Sequence, residues 1–135
     1  MRDPDCLFCK IVAGELPSQR VYEDELTVAF MDINPATRGH LLVVPRAHSA
    51  DLLEVGLVDL AATVGTAQRL AALVRQRLGA SGVNLLNCCG AAAWQTVFHF
   101  HVHVIPRYTD DPLRLPWTPQ AGDPEQIVAV AEQLR

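Results

Sequence analysis

No apolar run in this sequence approaches the ~20 residues needed to cross a bilayer, and no block of basic residues marks a membrane-facing or phosphate-backbone surface. Lys and Arg number 11 against 15 Asp and Glu, for a formal net charge of -4. There is then no global attraction to nucleic acid, and any phosphate must be held locally. A glycine-rich Walker loop is missing. The opening residues Met1-Arg2-Asp3-Pro4-Asp5 lack the basic-then-apolar order of a secretory signal, so the expected address is the cytoplasm. Cysteine is sparse: Cys6, Cys9, Cys88 and Cys89 are spaced unlike a secreted disulfide scaffold and more like the pairs of intracellular metal or redox sites.

What is present suits one domain spanning residues 1–135 with an extended C-terminal tail, since 135 residues at 50% hydrophobic content can build one core. A first helix is expected from about Asp5 to Ala13, with Pro4 near its start and Gly14 ending it. Arg20 to Glu23 and Leu26 to Met31 are rich in β-formers and separated by Asp24-Glu25, which predicts a hairpin. Another strand is expected over His40 to Val44, between Gly39 and Pro45. Leu57, Leu60, Val64, Ala67, Ala71, Val74 and Leu78 follow helical spacing, predicting a long helix from Leu57 to Leu78 closed by Gly79. Strands near Val83 to Cys88 and Val97 to Ile105 follow, joined by a flexible stretch over residues 89–93. The proline-rich tail is expected to wrap the domain and to end in a short helix over Glu125 to Leu134. The predicted fold is α+β, an antiparallel sheet of about five strands with the long helix packed across it.

His99-Phe100-His101-Val102-His103-Val104-Ile105 alternates imidazole with large apolar groups. In a strand this puts three imidazoles on one face while Phe100, Val102 and Val104 enter the core and fix the register. Alternation alone is compatible with a solvent-facing polar stripe, a metal site using all three rings, or a catalytic set. Cys6-Leu7-Phe8-Cys9 is by itself compatible with zinc or redox chemistry, although no strand precedes it as in a thioredoxin-like site.

The segment from Gln95 to Arg107 resembles the signature of the histidine-triad family. Cys6 to Ile11, Phe30 to Pro35 and Gly39 to Pro45 resemble family segments in the same order, so the likeness spans most of residues 6–107. It implies that His101 is a nucleophile toward the α-phosphorus of a nucleotide conjugate, forming a nucleotidyl-histidine that water hydrolyses. It also implies that His103 holds the phosphate oxygens and that Gln95 and Thr96 contact the phosphate or leaving group. His99 and His40 complete the catalytic set, His40 from a neighbouring strand. Asp32 would bind ribose hydroxyls, and Phe8, Ile11 and Phe30 would line the base pocket unless they are simply core. Two positions depart from the pattern: Trp94 replaces a frequent glycine, and Cys88 replaces a frequent asparagine, with Asn87 one residue away. Members of bacterial type pair the two cysteines with histidines corresponding to His48 and His99, which implies a closed structural Zn²⁺ site of Cys6, Cys9, His48 and His99. The resemblance adds a nucleotide substrate and a homodimer. The implied activity is hydrolysis of nucleoside phosphoramidates, other nucleotide conjugates or dinucleoside polyphosphates; nucleotidyl transfer to another acceptor, and a nucleotide-binding regulatory module with vestigial catalysis, are the rivals.

Overall fold

Asp24 turns the first hairpin: its Oδ1 accepts the backbone N–H groups of Leu26 and Thr27 and the hydroxyl of Thr27. In the computed structural model, which describes residues 2–135, this turn joins β1 (Arg20–Glu23) to β2 (Thr27–Met31). β3 (Leu41–Pro45) runs antiparallel to β2 and pairs Ala29 with Val43 and Phe30 with Leu42. A long helix, α2 (Leu57–Leu78), then leads to β4 (Gly82–Leu86), a 3₁₀ turn over Ala91–Ala93 and β5 (Val102–Arg107). The sheet order is β1-β2-β3-β5-β4, with neighbours antiparallel throughout, so the last strand to be made inserts between β3 and β4.

Side-chain alternation gives this sheet two covered faces. On one, Ala29, Leu41, Val43, Val102 and Val104 pack with Phe100 against Ala67, Leu70 and Val74 of α2. On the other, Val28, Phe30, Leu42 and Val44 pack against Cys6, Phe8, Cys9 and Ile11 of the N-terminal segment, whose helix α1 spans Leu7–Val12 and is capped by Cys6. Leu70 is almost fully buried, and its truncation to Ala would cost about 2 to 5 kcal/mol.

Several expectations shift in register. The buried stripe of α2 is Thr63, Thr66, Ala67, Leu70 and Val74, while Leu57 and Val64 face outward. Two threonines tolerate burial because Thr63 Oγ1 donates to the Asp59 carbonyl and the hydroxyls of Thr66 and Thr27 bond at 2.8 Å. At 22 residues and a mean hydropathy of 1.3, α2 is by length and composition apolar enough to cross a membrane, contrary to the sequence expectation; in the fold its inner face lies against the sheet. The expected strand from Val97 is also shorter. Residues 97–101 form bends and extended chain, with the Phe100 N–H donating to the Ser49 carbonyl, and regular pairing begins only at Val102. β4 likewise ends at Leu86, before Cys88.

Past β5 the chain is pinned by Asp111, which accepts from Arg107 Nε and from the backbone N–H groups of Tyr108 and Leu113. The final helix, α3 (Pro124–Leu134), is capped by Asp123 and has no buried residue, so it neither wraps the sheet nor builds a second core.

Candidate functional site

The segment His99–His103 crosses the face of the sheet that carries α1, and each ring is fixed by a different partner. His99 is fully buried; its Nε2–H donates to the Pro45 carbonyl at 2.8 Å, which leaves the Nδ1 lone pair facing the cysteines. The His101 Nδ1–H donates to the His99 carbonyl at 2.7 Å, which leaves its Nε2 lone pair free. The Asn87 side-chain amide donates to the His101 carbonyl at 2.9 Å and holds that backbone from the β4 side. His40 lies just before β3, where its Nδ1 accepts the Ala36 N–H, so the neutral ring carries its proton on Nε2 and donates it to His103 Nδ1 at 2.9 Å. His103 consequently presents an N–H at Nε2.

Burial keeps these rings neutral. It pushes His99 and His103 down to about 4, His103 being lowered further by His101 and His40, and it lowers His101 and His40 from the usual imidazole value. A deprotonated Nε2 on His101 beside an Nε2–H on His103, with ring centroids 5.1 Å apart, gives one nucleophilic and one hydrogen-bond-donating nitrogen at neutral pH.

Asp32 follows β2 at the edge of the same site. Its Oδ1 accepts the Asn34 N–H at 2.7 Å, and its Oδ2 lies 3.5 Å from His40 Nε2. Asp32, His40 and His103 are close enough to suggest a metal set, but the proton on His40 Nε2 makes them a hydrogen-bond relay instead. Beside Asp32, Ile11, Leu16, Phe30 and Ile33 help line a cavity of about 250 Å³. Phe8 is not in that wall. Its ring packs edge-on against Phe30, His99 and His101 at 5.4, 6.0 and 5.0 Å, so it supports the site from inside the core.

Of the two residues expected at the phosphate, Thr96 is exposed, whereas Gln95 is buried and committed internally: its Oε1 accepts the Gly90 N–H and its Nε2 donates to the Ala50 and Val97 carbonyls. Gln95 therefore shapes the loop over residues 90–97. A second cavity, of about 700 Å³, opens from His40 and His103 toward the tail and is walled by Trp94, Trp117, Arg107 and Arg114. The contribution of Trp117 had no signal in the sequence, because the motifs that carry the resemblance end at Arg107.

Cys6, Cys9, His48 and His99 come together from three separate segments of the chain, their ligating atoms all within 4.8 Å of one another. His99 Nδ1 lies 3.4 Å from Cys6 Sγ, 3.5 Å from Cys9 Sγ and 3.3 Å from His48 Nδ1, and Cys9 Sγ lies 3.5 Å from His48 Nδ1. A tetrahedral zinc with bonds of ~2.3 Å to sulfur and ~2.05 Å to nitrogen has edges of about 3.6 Å between sulfur and nitrogen and about 3.3 Å between nitrogens, so the donor set fits that ion. Outer partners are present as well: backbone N–H groups of Asp3 and Cys9 point at the two sulfurs, and the Asp3 carboxylate lies 3.8 Å from His48 Nε2.

A five-stranded antiparallel sheet crossed by one long helix, with alternating imidazoles leading into its inserted strand, defines an α+β protein of histidine-triad type. The HIT domain family model matches residues 13–110, and the chain belongs to this family. It is 34% identical to adenosine 5'-monophosphoramidase hnt1 of Schizosaccharomyces pombe, over 96% of this chain and 95% of that one. A crystal structure of a HIT family member from Bacillus subtilis superposes with a TM-score of 0.88 at 37% identity, covering 96% of this chain and 94% of that one. A Zn-bound histidine triad family protein from Mycobacterium smegmatis superposes with a TM-score of 0.79 at 41% identity, covering 96% and 95%.

Proposed function

We propose that the protein is a nucleotide hydrolase that cleaves nucleotide conjugates at the α-phosphate through a nucleotidyl-histidine on His101. The observation that carries this reading is the hydrogen bond from His101 Nδ1–H to the His99 carbonyl, which fixes the tautomer and leaves Nε2 as a lone pair. In the first step a bond forms from Nε2 to phosphorus and the bond to the leaving group breaks. In the second, water attacks the same phosphorus and the P–N bond to His101 breaks, releasing a nucleoside monophosphate. His103 Nε2–H donates to a phosphate oxygen, and Thr96 has an exposed hydroxyl to offer the same group. Asp32 Oδ2 accepts from the ribose hydroxyls, with the base against Ile11 and Phe30. Asn87 and Gln95 act as positioning residues. The relative with phosphoramidase activity in its name supports the hydrolytic reading.

Cys6, Cys9, His48 and His99 would hold a structural Zn²⁺, which supplies cross-linking of the N-terminal segment to the histidine strand. The ligand spacing and the Zn-bound relative support this. A cytoplasmic setting, which keeps the four cysteines reduced, and a homodimer that covers exposed apolar residues such as Leu57 and Val58 complete the proposal. The test is to quench the protein during turnover of an adenosine phosphoramidate and search by mass spectrometry for adenylate on the peptide that carries His101. Adduct on that residue is expected; full turnover with no adduct, or adduct elsewhere, refutes the assignment.

A further inference from the structure

Cys88 and Cys89 are adjacent free thiols that stand outside the cluster of Cys6, Cys9, His48 and His99. β4 makes its last ladder pair between Leu86 and His103, so residues 87–90 carry no sheet pairing. Cys88 is only 6% exposed, whereas Cys89 is half-buried and within reach of solvent. Burial also pushes the Cys88 thiol up from its ordinary value, so it stays protonated, and Cys89 is the first to meet a reagent from outside.

Two contacts flank the pair. On one side the Asn87 amide holds the His101 carbonyl at 2.9 Å; on the other the Gly90 N–H donates to Gln95 Oε1 at 2.8 Å. Adjacent Cα atoms stand about 3.8 Å apart across a trans peptide, closer than the roughly 4.4–6.8 Å that a disulfide normally spans. Joining these two sulfurs therefore has to turn the 88–89 peptide and shift the residues beside it. The chain permits this: no ladder bond must break, and Gly90, at φ 91°, has nothing within 4 Å of where a Cβ would lie. A disulfide under such strain is readily reduced again, as suits a regulatory bond rather than a structural one.

We propose that Cys88 and Cys89 form a modification site for hydroperoxides, and that the disulfide made there withdraws Asn87 from His101 and shuts off turnover. The Cys89 sulfur attacks hydrogen peroxide: an S–O bond forms, the O–O bond breaks, and the departing oxygen leaves as water with the Cys89 proton. The Cys88 sulfur then attacks the sulfenic sulfur; the S–S bond forms, the S–O bond breaks, and hydroxide leaves as water with the Cys88 proton. Both thiols are oxidised, by two electrons in all, and one peroxide is reduced to two waters. The bond needs nothing from the nucleotide chemistry, but its effect on turnover rests on the reading of His101 as the nucleophile.

The experiment treats the purified protein with hydrogen peroxide and follows adenosine phosphoramidate turnover beside peptide mass spectrometry. Trypsin releases Leu78–Arg107, which holds Cys88 and Cys89 and no other cysteine. That peptide should lose two hydrogens and resist alkylation, and kcat should fall about tenfold to a hundredfold with KM little changed, as for a displaced reacting group. Dithiothreitol should restore both. Cys89→Ser, at a half-exposed position, and Cys88→Ala should each turn over normally and escape the inhibition. Asn87→Ala should start with a low kcat and lose little more on oxidation, because the two changes act through one contact. A peptide that stays alkylatable, inhibition that survives in both cysteine variants, or a full further loss in Asn87→Ala would overturn the proposal. If the untreated protein turns nothing over, the hydrolase reading fails, and amide hydrogen exchange decides the switch. Exchange in the His99–His103 segment should quicken on oxidation of the wild type and not of Cys89→Ser. Unchanged exchange in the oxidised wild type would overturn it.

Discussion

The carbonyl of His99 accepts the Nδ1–H of His101, while the Nδ1 of His99 faces Cys6 and Cys9. One residue thus belongs to the cysteine–histidine cluster through its ring and sets the tautomer of its neighbour through its backbone. His101→Ala should abolish turnover of an adenosine phosphoramidate and leave the fold intact, because only the covalent step needs that imidazole. Steady-state kinetics with circular dichroism checks this, and near-normal turnover would remove His101 from its role.

Asp32 uses Oδ1 to cap the turn at Asn34, and its Oδ2 faces the histidines. Asp32→Ala should weaken binding of AMP by about 1 to 3 kcal/mol, through lost hydrogen bonds to the ribose. Isothermal calorimetry measures it; unchanged affinity would return Asp32 to the turn alone.

For the Cys6, Cys9, His48 and His99 cluster, purified protein should contain about one Zn²⁺ per chain, with X-ray absorption giving sulfur near ~2.3 Å and nitrogen near ~2.1 Å. Chelation, or Cys6→Ser, should lower the melting temperature and reduce activity more at higher temperature, although neither removes a group placed at the substrate. Metal-free protein of undiminished stability would defeat the site.

Burial lowers the folded-state value of His103 to about 4 from an ordinary value near 6.5. Between those two values the unfolded chain holds the extra proton and the folded chain does not. Stability linked to His103 is therefore fully present above pH ~6.5 and is lost as the pH falls toward ~4. Melting curves across this window should show a falling Tm on acidification, with a shallower slope in His103→Gln. Identical slopes would mean that the ring is already protonated in the native protein.

Most of the fold was written in periodicity. The bounds of α2 follow from helical spacing and from Gly79 at its end, and the alternation around His101 does send Phe100, Val102 and Val104 inward. The buried face of α2 was misread because apolarity was the only guide, whereas Thr63 and Thr66 are buried through hydroxyl bonds that depend on Asp59 and Thr27. Residues 97–101 look like strand in sequence, yet Phe100 bonds to the Ser49 loop and His99 is drawn toward the cysteines, so pairing starts late. The cavity between Trp94 and Trp117 was illegible for a different reason. It exists because Asp111 clamps Arg107 and turns the tail back over the sheet, a relation that no local pattern encodes.

The strand order has a consequence for the birth of the molecule. β5 is synthesised last and is placed between two strands made earlier, so until residues 102–107 leave the ribosome β3 and β4 each expose an unpaired edge. Leu41 to Pro45 are wholly buried in the finished fold, which makes that waiting edge apolar and prone to pairing with another nascent chain. The segment that closes the sheet also brings His103. A chain cut short before it leaves an open sheet for chaperones and proteases to recognise, and a closed sheet already carries the histidine strand. Completion of the fold and arrival of the chemistry are one event in time.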